Sequence, residues 1–270
     1  MMTLVRKALA TCLSQTILVG SDKRFIFIYH DVSNETAFQF SNLCSTSVPI
    51  FVQQIEFLAR RFELVSLDDV LSPETKRQKR RLAAITFDDG FLSVRDTAFP
   101  ILSAKGIPFA TFVNRLAISE NRLFNDSGDS RLEIAGEERV FLDEADMIFL
   151  SRKGVTIGNH SATHRRLIKC DEGTLREEID DNKVYLEQLI GKPVYHFALP
   201  FGKHEHYDEQ VLAHCYRAGH KYVYSSNPTF FDLSSDCYKR RLIPRIGLTN
   251  ETPANLLFMI NRPLFKTIDI

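Results

Sequence analysis

The sequence predicts a single α/β domain built on a mainly parallel sheet. A chain of 270 residues with 44% hydrophobic content can bury one large core. Short apolar runs alternate with segments of helical periodicity, and no low-complexity linker or fixed-period repeat interrupts them. Because parallel strands need a crossover connection, usually a helix, this alternation indicates a parallel sheet. When such a sheet curves into a barrel, its chemistry lies at the carboxyl ends of the strands.

The first half of the chain predicts three strands and two helices. Phe25–Tyr29 consists of aromatic residues and Ile, which are enriched in strands. Apolar side chains then recur at helical spacing between Phe51 and Phe62. The next predicted elements are a buried strand at residues 82–87, a helix at 94–102 that Gly106 ends, and a strand at Phe109–Val113.

The second half continues the alternation after a polar segment at residues 119–139, the predicted excursion from the core. Thr174 and Glu177 form a predicted capping box at the start of a helix. Gly191 and Pro193 end this helix. The other predicted elements are a helix at 143–152, strands at 155–158 and 194–199, a helix at 211–218, and strands at 222–225 and 242–246. Together these elements make seven or eight strand–helix units.

The expected domain borders are a helical extension at residues 1–24, the main domain at 25–249 and a C-terminal helix at 250–270. Arg6 and Lys7 precede residues 8–19 as in a signal peptide, but polar residues interrupt that stretch and no clear cleavage site follows. We therefore expect a short amphipathic helix there, and a cytoplasmic protein.

The composition argues against several classes of function. Lys+Arg and Asp+Glu both total 34, so no net charge favours nucleic acid or an anionic membrane. No apolar run approaches the ~20 residues that a membrane span needs. The five cysteines are scattered without a CxxC pair, which indicates a reducing compartment and gives no support to a cysteine zinc site.

Three motifs follow predicted strands, where a barrel would place its chemistry. Asp88, Asp89 and Gly90 end the sequence TFDDG, and Gly90 supplies the permissive backbone for a turn that brings both carboxylates to one mouth. His160 and His164 begin and end HSATH, and their spacing lets two imidazoles converge if the segment turns helically. Two neutral imidazoles and one carboxylate suit Zn²⁺. Each motif alone also fits an ordinary turn or a surface pair, so their common location carries the prediction.

The third motif, HFALPFG, begins at His196 and ends in Pro200, Phe201 and Gly202. Its turn could direct backbone N–H groups at a substrate oxygen, or it could be a simple connection between a strand and a helix.

In this order, TFDDG, HSATH and FALPFG resemble the polysaccharide deacetylase family, whose shared unit is the NodB homology domain of carbohydrate esterase family 4. The resemblance covers roughly residues 25–246. The sequences IYHDV at 28–32 and SLDDV at 66–70 are similar to the branch of poly-N-acetylglucosamine and cell-surface-glycan deacetylases. The resemblance implies a distorted (β/α)₇ TIM-like barrel that holds one divalent metal ion.

The resemblance implies that Asp89, His160 and His164 are metal ligands and that Asp88 is the general base. The chemistry agrees, because a metal lowers the pKa of its water and an unligated carboxylate can take the proton. The expected cation is Zn²⁺, and the oxyanion would lie between it and a backbone N–H near Phe201.

Two features depart from the family's pattern. Tyr195 stands where the family usually has the Arg that orients the base, and no His follows His220 to serve as the late catalytic His. Arg245 ends a predicted strand and could pair with Asp88 instead, or it could be a surface residue. His30 ends the first strand, which neighbours the last strand in a closed barrel. His30 could therefore be the general acid, or it could cap the strand or brace the metal site.

These residues predict a metal-dependent hydrolase that removes N-acetyl groups from a sugar or polysaccharide. The alternatives are a deformylase or another amidase that acts on a sugar, and an inactive glycan-binding module. Retention of Asp88 argues against the binding module, because binding alone has no use for a base. The expected partner is an N-acetylated glycan, or a glycolipid or nucleotide-linked sugar, with no nucleic acid and no membrane span.

Overall fold

The computed structural model describes residues 22–34, 45–76, 80–120 and 139–265. Its strands are β1 (Phe25–Tyr29), β2 (Asp31–Val32), β3 (Ser45–Thr46), β4 (Phe62–Leu64), β5 (Arg81–Phe87), β6 (Phe109–Val113), β7 (Thr156–Asn159), β8 (His196–Ala198), β9 (Tyr222–Tyr224), β10 (Leu242–Ile243) and β11 (Ile246–Gly247). Its α-helices are α1 (Val48–Arg61), α2 (Leu67–Leu71), α3 (Phe99–Ser103), α4 (Arg115–Glu120), α5 (Glu144–Arg152), α6 (Glu172–Leu175), α7 (Asn182–Ile190), α8 (Glu209–Arg217), α9 (Asp236–Lys239) and α10 (Pro253–Phe265).

The strands form one curled sheet in the order β10-β9-β8-β7-β6-β5-β1-β11, with β4 beside β5 and with β2 and β3 as a separate pair. Its strand pairings are parallel, as predicted from the alternation of strands and helices. β1 lies between β5 and β11, so the first and last strands are neighbours. β10 and β11 form opposite ends of the order, yet only Pro244 and Arg245 separate them in the chain. The predicted α/β barrel-like fold is confirmed, in a half-barrel form.

The side chains of the strands alternate between two apolar layers. In β1, Phe25 and Phe27 pack in the cluster that the strands share with helices such as α1. Ile26 instead belongs to a second cluster on the other face of the sheet, together with Ala84 and Phe112. The sheet therefore has an apolar layer on each of its faces.

The structure differs from the predicted elements at several places. The strand predicted at 242–246 is divided into β10 and β11, because Pro244 lacks an N–H for the ladder. Asp171, and not Thr174, caps the helix that follows, and its side chain accepts a hydrogen bond from the Thr174 N–H. The helix predicted from residue 94 starts as a π-helical segment, Val94–Ala98, before α3.

Parts of the predicted domain scheme lie outside the described residues. These parts include residues 1–21, which hold nearly all of the predicted N-terminal extension, residues 121–138 of the polar segment, and residues 266–270 of the predicted C-terminal helix. α4 occupies the start of that polar segment, and α10 lies within the predicted C-terminal helix. Among the residues that are described, no helix has both the length and the apolar character needed to cross a membrane.

Candidate active site

Three strands deliver the predicted site residues to one edge of the sheet. His30 directly follows β1, Asp88 and Asp89 follow β5, and His160 follows β7. β1 pairs with β5, and β6 alone lies between β5 and β7. Because all these strands are parallel, their carboxyl ends meet at the same mouth of the half-barrel.

The Asp-Asp-Gly turn brings two adjacent carboxylates into this mouth. The Asp88 N–H still donates to the Tyr29 carbonyl at 2.9 Å, so the strand pairing extends to this residue. Asp89 and Gly90 then adopt φ angles of 71° and 72°, in the left-handed region. A Cβ at residue 90 would lie 2.9 Å from Cγ1 of Val113, so the turn requires Gly.

Asp89 and the two histidines of HSATH converge on one point. The Asp89 Oδ1 lies 3.3 Å from the His160 Nε2 and 3.4 Å from the His164 Nε2. Despite this closeness, the Asp89 Oδ1 is buried and has no hydrogen-bond partner within the described part of the chain. In a tetrahedral zinc site, metal–ligand bonds of about 2.0–2.1 Å place neighbouring ligand atoms about 3.3–3.4 Å apart. The spacing and the unpartnered oxygen therefore fit a divalent metal.

The orientation of His160 also suits a metal ligand. Its Nδ1 lies 2.8 Å from the Ala198 carbonyl, which can only accept, so Nδ1 carries the proton and Nε2 presents its lone pair toward Asp89. Burial lowers the pKa of the His160 imidazole, but the Asp88 and Asp89 carboxylates outweigh this effect and raise it. In Asp89, burial raises the pKa of the carboxyl, and the nearby imidazoles, His164 first, bring it far below its ordinary value.

The segment from His160 to His164 does not form the helical turn that its spacing suggested. It is an irregular loop in which Ser161 and His164 have left-handed φ angles of 68° and 63°. The Ser161 Oγ accepts a hydrogen bond from the His164 N–H at 3.0 Å. The two imidazoles therefore converge through a strained loop. Their ring centroids lie 4.9 Å apart.

Arg245 forms a bidentate ion pair with Asp88, the other carboxylate of the turn. Its Nη1 and Nη2 donate to the two Asp88 oxygens at 2.8 and 2.7 Å, and the two side chains are only 1% and 6% exposed. Burial raises the pKa of the Asp88 carboxyl, but the charge of Arg245, followed by that of His160, outweighs burial and holds this pKa below its ordinary value. Asp88 is therefore ionised, and its partner is different from that of Asp89.

Sequence reasoning missed the side chains that hold Arg245 in place. The Phe112 and Tyr224 rings lie 5.1 and 5.6 Å from the guanidinium carbon, and the Thr86 Oγ1 accepts a hydrogen bond from Nη1 at 3.3 Å. The signal available in the sequence was the period-two alternation of the strands, which places these residues on the inner face. Tyr195, at the position of the family's usual Arg, instead lies 37% exposed with the Lys221 ammonium over its ring.

His30 lies near both carboxylates at the same mouth. Burial raises the pKa of Asp88 and of Asp89, and the positive charge of His30 is among the influences that lower both pKa values. The His30 Nδ1 is buried without a hydrogen-bond partner among the described residues. The structure therefore brings His30 to the site, where none of the described residues forms a hydrogen bond with this nitrogen.

The turn of the third motif closes the other side of the site. The Phe201 ring packs on the His164 imidazole, with 4.5 Å between the ring centroids. Phe201 and Gly202 have φ angles of 60° and 63°, and the Gly202 N–H donates to the Pro200 carbonyl at 2.7 Å. The Phe201 N–H has no acceptor within the described residues.

Solved structures share this fold. The Streptococcus pyogenes deacetylase PplD, solved in complex with acetate, aligns with a TM-score of 0.71 at 18% identity, over 88% of this chain and 98% of its own. The structure of IcaB from Ammonifex degensii aligns with a TM-score of 0.68 at 18% identity, over 88% and 97% of the two chains. These likenesses agree with the predicted (β/α)₇ fold.

Sequence comparison gives a relative and a family. A poly-beta-1,6-N-acetyl-D-glucosamine N-deacetylase of Staphylococcus aureus is 24% identical over 215 residues, which cover 79% of this chain and 71% of that protein. The model of the polysaccharide deacetylase family matches residues 75–223, more than half of the chain, and includes all three motifs. This chain therefore belongs to the polysaccharide deacetylase family.

Proposed function

We propose that this protein is a metal-dependent hydrolase that removes N-acetyl groups from a sugar or polysaccharide, with Asp88 as the general base. The observation that carries the proposal is that two adjacent carboxylates have different partners. Asp89 faces His160 and His164, whereas Asp88 is held by Arg245. The similarity to a Staphylococcus aureus poly-beta-1,6-N-acetyl-D-glucosamine N-deacetylase supports an N-acetylated glycan as the substrate class.

Asp89, His160 and His164 would hold the metal, and their ligand set of one carboxylate and two imidazoles favours Zn²⁺. When bound, a divalent metal supplies Lewis-acid chemistry, since it acidifies water and polarises an acyl oxygen. Three protein ligands leave coordination positions for water and substrate, as in other catalytic metal sites.

Asp88 is suited to accept a proton from the attacking water. Arg245 keeps it ionised and fixes the plane of its carboxylate through two hydrogen bonds. Each carboxylate oxygen has a second lone pair, so Asp88 can accept from water while the Arg245 contact persists. The Phe201 N–H can stabilise the negative charge that develops on the acyl oxygen.

His30 is proposed as the general acid. Collapse of the tetrahedral intermediate expels an amine, which is a poor leaving group until it is protonated. His30 lies at the mouth with Asp88 and Asp89, and its Nδ1 has no partner among the described residues. A protonated His30 could therefore donate to the departing nitrogen.

The experiment that tests the proposal compares Asp88→Asn with Asp89→Asn on N-acetylated and N-formylated glucosamine oligomers. Asp88→Asn should retain stoichiometric zinc and lose turnover by ~10²–10⁴, the usual scale for general acid–base catalysis. Asp89→Asn should lose both metal and activity. Asp96→Asn, an exposed carboxyl within the same connection between β5 and β6, is the matched control and should retain both.

Three results would contradict this assignment. Loss of zinc from Asp88→Asn, with zinc retained in Asp89→Asn, would reverse the roles of the two carboxylates. Release of formate without release of acetate would identify a deformylase. Full cellular function of Asp88→Asn without any turnover would identify a glycan-binding module.

A further inference from the structure

A buried carboxylate outside the site grips the loop that carries the two imidazoles. Glu178 is 3% exposed, and its two oxygens accept from the same residue, Thr163. Its Oε2 accepts from the Thr163 N–H at 3.0 Å, and its Oε1 accepts from the Thr163 hydroxyl at 2.7 Å. Thr163 directly precedes His164. We infer that Glu178 is a positioning residue that holds His164 in its metal-binding geometry.

Glu178 has no other evident task in the described part of the chain. A buried carboxylate is unfavourable unless it is paired or hydrogen-bonded. No ion pair of Glu178 occurs within the described residues, so its two bonds to Thr163 are the main contacts that compensate for its burial. Removing the carboxylate would therefore release the loop chiefly at Thr163.

The loop needs such a restraint because its backbone is strained. Ser161 and His164 adopt left-handed φ angles, which cost non-glycine residues of the order of 1–3 kcal/mol and persist only where the surroundings impose them. Asn114 holds the first end of the loop, and donates to the carbonyls of His160 and Ser161. Glu178 holds the other end through Thr163, so the backbone near each imidazole has its own hydrogen-bonded restraint.

The consequence of losing Glu178 should be a less accurately placed His164. The His164 Nε2 lies 3.4 Å from the Asp89 Oδ1, a separation that suits a shared metal. If the Thr163 backbone were released, His164 could leave the left-handed region and this separation would no longer be fixed. Residues that support metal ligands typically contribute about 10–100-fold to metal affinity.

The test is a zinc competition titration against a chromophoric chelator at 25 °C, with circular dichroism to confirm folding. Glu178→Ala should bind zinc about 10-fold more weakly than the wild type, or worse. Glu178→Gln should stay within about threefold of the wild type, because its oxygen can accept from the Thr163 N–H and its NH₂ can donate to the hydroxyl. Thr163→Ser keeps both bonds and is the matched control for Thr163→Val, which loses one of them.

These outcomes separate positioning from general stability and from charge. A lower melting temperature of metal-free Glu178→Ala with unchanged zinc affinity would overturn the inference, and so would equal zinc losses in Glu178→Gln and Glu178→Ala. If Glu178→Ala does not fold, the Thr163→Val and Thr163→Ser pair carries the test. A several-fold loss of affinity confined to Thr163→Val supports positioning, and equal affinities overturn it.

The inference rests on the proposed metal site, but the two can fail separately. Absence of zinc from the wild type would refute the metal-dependent function itself. Zinc binding by the wild type, with the same affinity in Glu178→Ala, would refute only the role of Glu178.

Discussion

Replacing Arg245 by Met should destabilise the protein strongly, because Asp88 would keep a buried charge without its partner. The two hydrogen bonds of 2.7 and 2.8 Å join side chains that are 1% and 6% exposed. Two unit charges about 4 Å apart attract by about 4 kcal/mol at an effective dielectric constant near 20. Removing one partner of a buried pair costs about 3–5 kcal/mol. We expect the free energy of unfolding at pH 7 to fall by this amount.

A double-mutant cycle in urea measures this coupling on the metal-free protein. Asp88→Asn and Arg245→Met should each be less stable than the double variant, in which neither charge is left unpaired. The exposed pair of Arg240 and Glu209, 49% and 80% exposed, is the matched control and should show under 1 kcal/mol of coupling. A coupling below about 1 kcal/mol for Asp88 and Arg245 would refute the buried clamp.

The remaining predictions concern the general acid, the pH dependence of stability and the backbone at Gly202. His30→Ala should retain zinc but lose most turnover on N-acetyl substrates, and near-wild-type turnover would end its assignment as the acid. Burial lowers the pKa of His220 to about 3, against 6.5 when unfolded, so the protein should lose stability as the pH falls below about 6.5. At about 1.4 kcal/mol per pH unit, the loss of stability reaches about 2 kcal/mol at pH 5. In urea titrations, His220→Gln should not show this loss. Parallel curves of unfolding free energy against pH for the wild type and His220→Gln would contradict this reasoning. Gly202→Ala should lower both the melting temperature and turnover, because its Cβ would lie 2.6 Å from the Ser226 nitrogen at a φ of 63°; an unchanged melting temperature would show that the turn adapts.

The fold could be predicted because its signals are local. Apolar runs such as Phe25–Tyr29 and Phe109–Val113 have the length and composition of buried strands, and their alternation with helices dictates parallel pairing. The sequence predicts a cap at Thr174, but Asp171 caps the helix, since both residue types can cap and only the chain's path decides between them. Pro244 was a visible signal for the break between β10 and β11, and the composition of the surrounding residues obscured it.

The site could be predicted only where motifs mark strand ends. Asp89, His160 and His164 are recognisable because three short sequences follow three strands, and the structure brings them within ligand distance of one another. The grip of Glu178 on Thr163 is invisible in the sequence, because an acidic residue in a helix is usually exposed. Such contacts depend on how the helices pack on the sheet, which no local pattern encodes.

The position of β11 beside β1 has a consequence for synthesis on the ribosome. Asp88 and Arg245 are 157 positions apart, so the carboxylate is translated long before its guanidinium partner. Likewise, β1 can pair with its second neighbour, β11, only after Ile246, the partner of Phe27, has been translated. Closing so long a loop costs entropy and slows folding. The contact between Asp88 and Arg245 and the pairing of β11 with β1 should therefore form only after the last strand has emerged from the ribosome.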